Sequence, residues 1–288
     1  MIYKIYNLLR IKQWLKNLLI FIPLLIEADE LKYEVLISSF YIFFLFSFVT
    51  SFIYVVNDWF DREEDSNHPE KKNRPFASKE LNGKHAIFSL FLLTLLTVPG
   101  LFILGNSFLN SLIALYFLQS ILYTFYLKNF SLLEIFIVAS GYVYRILIGA
   151  SIISSFPSTW MIFTIGSASL LIVVVKRKID ITKKPFSELR SSFKNYSNEY
   201  LITLIGILSA TTITSYVLFT FSNYAILKFN SELLPFSSIF VFFGVLRYVQ
   251  LSFKTNVSSD PINLLLKDKQ LLITVFLWMI FIFSINFF

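Results

Sequence analysis

The chain has 288 residues, of which 56% are hydrophobic and 18% aromatic, and its formal net charge at pH 7 is +7. A water-soluble domain of this length rarely carries so few charges, so the composition predicts an all-α, polytopic membrane protein. The chain has no Cys, which excludes disulfides and thiolate metal sites, and its two His are too few for a His-based metal centre.

The chain opens with residues 1–16, which predict an interfacial, amphipathic lead-in rather than a cleavable signal peptide. The segment 13–28 follows and predicts a short membrane span that contains Pro23. Eight longer apolar stretches come next, and each is long enough to cross a hydrocarbon core of about 30 Å. They lie at 35–56, 86–104, 107–127, 131–153, 159–175, 201–221, 233–251 and 270–288. The sequence therefore predicts nine transmembrane helices in a single domain, 1–288.

The basic residues are distributed unevenly between the two sides that these spans define. With nine spans, 22 of the 25 Lys and Arg residues fall on one side, Lys32 and Lys228 fall on the other, and Arg145 lies inside a span. The positive-inside rule assigns the basic side to the cytoplasm, so the loops 58–85 and 176–200 should face it. This bias accounts for the net charge of +7 without a nucleic-acid partner.

The first of these loops begins with a dense acidic stretch, NDWFDREEDSNHPEKKNRP, at residues 57–75. If the preceding helix continues past Val56, Asp58, Asp61 and Asp65 stand at i, i+3 and i+7 and share one helical face. Carboxylates crowded in this way repel one another unless a cation neutralises them. With the Asn57 side chain they form a set of hard oxygen ligands suited to Mg²⁺ and the phosphates it binds.

Cationic side chains follow the acidic stretch and predict contacts to phosphate oxygens. Arg74 suits a bidentate contact, and Lys71 or Lys72 would act as a point charge. His68 is assigned to the same substrate site, with a simple turn before Pro69 as its alternative. The alternative for the whole stretch is a solvated helix end whose carboxylates balance the neighbouring Lys and Arg residues.

The acidic stretch resembles the first aspartate-rich motif, NDxxDxxxD followed by RP, of the UbiA superfamily of intramembrane prenyltransferases. The resemblance extends along nearly the whole chain and favours the branch that transfers a phosphoribosyl group. The stretches that carry it beyond the acidic motif are LLRIKQWLKN (8–17), YTFYLKNFSLLE (123–134), GYVYRILIGA (141–150), KRKIDI (176–181), LRSSFKNYSNEYL (189–201) and VLRYVQ (245–250). It implies a UbiA-type bundle with a cytoplasmic polar cap.

The loop that begins at residue 176 distinguishes the branches of the superfamily. Members that use a prenyl diphosphate generally carry a second aspartate motif there, whereas this chain reads VVVKRKIDITKKP with Asp180 as its sole acid. A cluster this basic fits a donor with several phosphate groups, such as phosphoribosyl pyrophosphate. Lys176, Arg177 and Asp180 are the residues expected to bind it, and the resemblance adds Arg190. Ordinary positive-inside charge is the alternative.

Further substrate contacts are expected near the membrane. Arg145 lies deep in a span, where a charge costs roughly 2.5–3.5 kcal/mol, so it should face a polar cavity and contact a lipid or donor phosphate, or pair with another helix. Glu134 lies eleven residues earlier, about 16 Å along a helix, and is a poor partner for it. Arg247, near the end of another span, is interpreted in the same way as Arg145. The resemblance assigns Tyr123 and Lys128 to the substrate site. Lys12, Gln13 and Lys16 are expected to contact the phosphate of a membrane-embedded lipid.

Together these features predict an enzyme of the bacterial inner membrane that transfers 5-phosphoribosyl from phosphoribosyl pyrophosphate to a decaprenyl-type polyprenyl phosphate. Mg²⁺ would assist, diphosphate would leave at the cytoplasmic face, and the product would serve cell-envelope glycan synthesis. One alternative is a prenyltransferase that joins a prenyl diphosphate to an aromatic acceptor in a quinone or haem pathway. A cation transporter is the alternative of another class, and whether the chain forms a homo-oligomer stays open.

Overall fold

The structure, a computed structural model, describes residues 2–28, 30, 32–67, 71–153, 155, 157–183, 191–254, 258 and 260–287. All regular structure in these ranges is helical, which confirms the all-α prediction. The α-helices are α1 (Ile2–Leu8), α2 (Ile22–Ile26), α3 (Tyr33–Phe60), α4 (Arg62–Ser66), α5 (Gly83–Leu104), α6 (Ser107–Phe125), α7 (Leu133–Ile152), α8 (Thr159–Lys183), α9 (Asn198–Thr220), α10 (Asn223–Phe229), α11 (Ser238–Ser252), α12 (Pro261–Lys267) and α13 (Lys269–Phe287).

Within the described residues, eight helical segments are long and apolar enough to cross a membrane. They match the eight longer apolar stretches and confirm them as helices. They are Tyr33–Phe60, Gly83–Leu104, Ser107–Phe125, Leu133–Ile152, Thr159–Lys183, Asn198–Thr220, Leu234–Ser252 and Lys269–Phe287. Several ends carry their expected caps; at the start of α5, for example, the Asn82 side chain accepts hydrogen bonds from Lys84 N and His85 N.

The region of the ninth predicted span is not one long α-helix. It is a 3₁₀ helix, Ile11–Phe21, followed by the five-residue α2. A 3₁₀ helix rises about 2.0 Å per residue and brings side chains at i and i+3 into line. Trp14 and Asn17 have this spacing, and both bind α3: Trp14 Nε1 donates to Ser51 Oγ at 2.9 Å and Asn17 Nδ2 to Ser47 Oγ at 2.9 Å. The count of nine spans stays a prediction.

The chain divides into two compact units. Unit 1 comprises Met1–Leu18 and Tyr33–Thr124, and unit 2 comprises Leu19–Lys32 and Phe125–Phe288. In unit 1, α3 packs against α5, and a small core forms around Leu8, Val55, Phe76, Ala86 and Leu93. In unit 2, α8 packs against both α7 and α9 around a larger aliphatic core. Each unit therefore has its own hydrophobic core.

Gly149 lies where α7 approaches the 3₁₀ helix closely. A Cβ added there would overlap the backbone carbonyl of Ile20, in the 3₁₀ helix. We expect Gly149→Ala to destabilise the protein by about 1–3 kcal/mol, because backbone cannot move aside as a flexible side chain can. Thermal unfolding in detergent micelles measures this effect. Gly166→Ala in α8 is the matched control, since no described heavy atom lies within 4 Å of its added Cβ; equal loss of stability in both variants would contradict the interpretation.

Candidate active site

The three aspartates of the acidic stretch lie at the end of α3 and in α4. Backbone hydrogen bonds from Asp61 N to Asn57 O and from Asp65 N to Asp61 O, both 2.8 Å, carry the helical path across the junction at Asp61. All three side chains are buried, with 2%, 3% and 1% of the surface of Asp58, Asp61 and Asp65 exposed. The three carboxylates are therefore shielded from water, so the alternative of a solvated helix end is wrong in placing these charges in solvent.

Cationic side chains neutralise this buried charge. Arg74 Nη1 bridges two aspartates, donating to Asp58 Oδ1 at 3.2 Å and making a short contact to Asp65 Oδ2. Lys71 Nζ lies 3.5 Å from Asp65 Oδ1. Carboxylates this deeply buried require such partners, because desolvation of an unpaired charge costs several kcal/mol. The predicted charge balance between the acidic stretch and the basic residues after it thus exists, but inside the protein.

Arg10 completes the cluster, and sequence reasoning missed it. Its Nε donates to Asp58 Oδ2 at 2.9 Å, and its Nη2 makes a short contact to Asp58 Oδ1. The guanidinium also lies over the Tyr54 ring, 4.8 Å from its centroid. Burial lowers the pKa of Arg10, but the Asp58 charge and hydrogen bond, together with Tyr54 and Asp65, raise it by more, so the net pKa is raised. For Arg74, burial and the nearby Arg10 charge leave the pKa lowered.

One feature could have revealed Arg10 in the sequence. It is the only Arg in the stretch LLRIKQWLKN, and Arg rather than Lys suits a fork-shaped contact to a carboxylate. In the structure, its backbone has a φ of +50°, in the left-handed region that side-chain-bearing residues seldom adopt. Sequence reasoning chose Lys12, Gln13 and Lys16 instead; Lys12 is exposed and the other two are half-buried.

The donor set of this cluster fits Mg²⁺ in its chemistry. Asp58, Asp61 and Asp65 supply carboxylate oxygens, and Asn57, whose Nδ2 donates to Asp61 Oδ2 at 3.1 Å, has an amide oxygen. Within the described part of the chain, however, no three acidic or imidazole side chains are grouped so that they could surround an ion. In this arrangement Asp58 and Asp65 bind guanidinium groups instead.

A second charged cluster lies in unit 2, at the end of α8 and the start of α7. Arg177 Nε donates to both oxygens of Glu134, at 2.8 and 3.0 Å, and its Nη2 donates to Glu134 Oε2 at 2.5 Å. Arg177 Nη1 also lies 3.5 Å from Asp180 Oδ2. Glu134 is completely buried and Arg177 is 5% exposed. The sequence correctly predicted that Glu134 is not the partner of Arg145, but it did not identify Arg177 as the partner of Glu134.

The segment after the second loop is fixed against the start of α7. Ser192 Oγ donates to Lys128 O at 2.9 Å, and the Tyr196 hydroxyl accepts a hydrogen bond from Leu132 N at 2.6 Å. Burial raises the pKa of Tyr196 to about 12, so this hydroxyl stays protonated at neutral pH. The Phe193 ring lies under the Arg177 guanidinium, with its centroid 4.6 Å away. These contacts hold the Glu134 and Arg177 pair away from water.

The remaining residues that the sequence predicts as phosphate contacts have partners or surroundings of their own. Arg145 is buried in α7, and its Nη1 makes a short contact to Gly141 O, one turn earlier. Arg247 binds Asp268, with Nη2 to Oδ2 at 2.7 Å, and this hydrogen bond lowers the pKa of Asp268 below its usual range. Lys176 and Lys128 are half-buried, as is Tyr123 in unit 1. His68 and Arg190 lie outside the described residues.

In the part of the chain that the structure describes, eight apolar helical segments, with charged clusters near several of their ends, define a polytopic integral membrane protein. The model of the UbiA prenyltransferase family matches residues 20–280, and the chain belongs to that family of membrane transferases. The structure of a UbiA homologue from Archaeoglobus fulgidus, bound to GPP and Mg²⁺, covers 98% of this chain and 99% of its own, with a TM-score of 0.72. Its sequence is 17% identical, so this likeness shows the fold.

Two relatives extend the similarity over nearly the full chain. The decaprenyl-phosphate phosphoribosyltransferase of Mycobacterium tuberculosis is 28% identical over 279 residues, which cover 94% of this chain and 90% of that protein. The protein of the same name from Mycolicibacterium smegmatis is 27% identical over 295 residues, covering 93% and 88%. The predicted family is therefore confirmed.

Proposed function

We propose that this protein transfers 5-phosphoribosyl from phosphoribosyl pyrophosphate to a polyprenyl phosphate of the decaprenyl type. The observation that carries the proposal is the similarity to relatives named decaprenyl-phosphate phosphoribosyltransferase, which extends over 94% of the chain. The transfer breaks the bond between ribose C1 and the diphosphate oxygen, whose electron pair leaves with the diphosphate. A lipid phosphate oxygen forms the new bond to C1. The product would serve cell-envelope glycan synthesis.

The charges of the second loop support phosphoribosyl pyrophosphate as the donor. This donor carries more phosphate than a prenyl diphosphate, and the segment 176–184 has five cations and one acid, Asp180. Arg177 is bound by Glu134, so its most direct role is to support the end of α8. Lys176 and the exposed Lys183 then supply the positive field for the donor phosphates, with Arg190 proposed beside them.

The acidic cluster of unit 1 is the proposed site of diphosphate departure. Asp58, Asp61, Asp65 and Asn57 would hold Mg²⁺, which, when bound, neutralises the charge that develops on the leaving diphosphate. Arg74, Lys71 and His68 are proposed to bind the same phosphates. The lipid phosphate is already an anion and needs no strong base, so positioning and charge neutralisation should supply most of the rate enhancement.

The lipid acceptor would bind with its tail among apolar helices and its phosphate near Lys12, Gln13 and Lys16. Arg145 is proposed as a deeper phosphate contact, together with Tyr123, Lys128 and Arg247. The asymmetry of Lys and Arg supports a cytoplasmic position for both acidic and basic loops in a bacterial inner membrane. In this proposal, residues 1–288 act together as a single catalytic domain.

Diphosphate release from purified protein tests the donor. We expect release with phosphoribosyl pyrophosphate, Mg²⁺ and a polyprenyl phosphate, and at least tenfold less when either the lipid or Mg²⁺ is omitted. A prenyl diphosphate with 4-hydroxybenzoate serves as the rival pair. Turnover of that pair alone would overturn the phosphoribosyl proposal and move the protein to the aromatic prenyltransferases of the same family.

A further inference from the structure

Every carboxylate oxygen of Asp58 and Asp65 contacts a cationic side chain. Arg10 contacts both oxygens of Asp58, Arg74 contacts one oxygen of each aspartate, and Lys71 contacts the remaining oxygen of Asp65. Both aspartates are at least 98% buried, whereas the side chains of Arg10 and Arg74 are 18% and 24% exposed. The cations therefore lie on the more accessible side of the carboxylates.

We propose that Arg10 is an internal counter-ion that competes with the divalent metal for Asp58. Resting on the proposed Mg²⁺ site, this inference assigns Arg10 a role in controlling when the metal binds. Arg10 donates to both oxygens of Asp58, and Arg74 donates to Oδ1 as well, so among the described residues Oδ2 is held by Arg10 alone. A divalent cation at about 2.1 Å from Oδ2 would lie beside the Arg10 guanidinium and be repelled by its charge. Arg10 must therefore move off Oδ2 before this oxygen can ligate a metal.

The structure shows why this competition should be strong. Arg10 uses two nitrogens on one carboxylate, and the Tyr54 ring supports the guanidinium from its face. An Arg side chain stays charged at any pH at which the protein is folded, so it cannot withdraw by losing a proton. Metal binding must instead displace the whole side chain. A donor diphosphate would give the displaced guanidinium another anion to bind, so the metal should bind more tightly with the donor than alone.

The affinity for Mn²⁺ alone tests the proposal without any turnover. Mn²⁺ accepts the same oxygen ligands as Mg²⁺, and the EPR signal of the free aqueous ion reports how much remains unbound. In nonionic detergent, we expect Arg10→Gln to bind Mn²⁺ about tenfold more tightly than the unsubstituted protein, since the charged guanidinium and its two contacts to Asp58 no longer compete. Mg²⁺ should displace the Mn²⁺, and adding Asp61→Asn to Arg10→Gln should abolish the gain.

Two further variants separate competition from a general change of charge. Arg62 is next to Asp61 in sequence, but it contacts Glu63 and Trp59 O, so Arg62→Gln should change the affinity less than twofold. Arg10→Lys keeps the charge and removes the two-nitrogen fork, so it should bind Mn²⁺ several-fold more tightly than the unsubstituted protein. It also provides the test if Arg10→Gln does not fold.

Three results would overturn the proposal. The first is an Arg10→Gln protein that is folded by size-exclusion chromatography and binds Mn²⁺ no more tightly than before. The second is an equal gain in Arg62→Gln, which would assign the effect to overall charge. The third is an Arg10→Lys protein with unchanged affinity. None of these results depends on which donor the enzyme uses, so the diphosphate-release assay tests the proposed function independently.

Discussion

Asp61→Asn is expected to reduce diphosphate release by about 100- to 1000-fold, the range found when one electrostatic contact in an active site is removed. The substitution removes a proposed metal ligand but keeps an oxygen that can accept the hydrogen bond from Asn57 Nδ2. Substitution of Asp58 or Asp65 would also leave a partly buried cation without a partner, so a loss of activity could not be separated from a loss of stability. Asp61 therefore gives the clearer test.

The matched control for this prediction is Glu63→Gln. Glu63 loses the same charge two residues away, but its side chain is 88% exposed and contacts Arg62. We expect this variant to keep nearly full activity. Diphosphate release is measured at saturating donor and Mg²⁺, and thermal unfolding confirms that both variants are folded. An Asp61→Asn enzyme with unaltered turnover, or equal losses in both variants, would show that the aspartate does not act at the reaction site.

Glu134→Gln is expected to destabilise unit 2 by about 3–5 kcal/mol, the usual effect of removing one partner from a buried ion pair. Glu134 is fully buried and accepts three hydrogen bonds from Arg177, so the substitution leaves a guanidinium that Asp180, 3.5 Å away, only partly neutralises. Thermal unfolding in detergent measures the loss. The exposed Glu199, in the first turn of α9, provides the control, and Glu199→Gln should change stability by less than about 0.5 kcal/mol.

A double variant, Glu134→Leu with Arg177→Met, distinguishes the two roles open to Arg177. Replacing both charges with apolar side chains should recover most of the stability, since no buried charge remains unpaired. If Arg177 only supports the end of α8, diphosphate release recovers as well. If stability returns but release does not, Arg177 binds substrate phosphate as the sequence predicted. A double variant no more stable than Glu134→Gln would contradict the assignment of a buried pair.

Local patterns in the sequence predicted the features that depend on neighbouring residues. Hydropathy located the eight long helices, and the three aspartates that the spacing places on one helical face, Asp58, Asp61 and Asp65, are all buried. Hydropathy could not show that Ile11–Phe21 forms a 3₁₀ helix rather than an α-helix, because it depends only on which residues are present and not on how the backbone is wound. Its hydrogen bonds to α3 depend on the folded structure.

The sequence could not predict which charges pair across long separations. Arg10 and Asp58 are 48 residues apart, and Glu134 and Arg177 are 43 residues apart. A periodic pattern relates residues within a few turns of one helix, whereas these pairs depend on how separate helices pack. For this reason the sequence assigns Arg177 to phosphate, and its partner Glu134 emerges only from the fold. For Arg74, whose partners are close in sequence, the carboxylates of the acidic stretch are already an alternative there.

The length of α3 has a consequence for the proposed lipid acceptor. Its 28 residues extend about 42 Å, and its two charged residues, Glu34 and Asp58, stand near opposite ends, about 36 Å apart along the axis. This separation exceeds a hydrocarbon core of about 30 Å, so Asp58 can lie at the level of the lipid headgroups. A polyprenyl phosphate presents its phosphate at that level whether its tail is short or long. Chain length would then change how much tail remains in the bilayer, but not where the new bond forms.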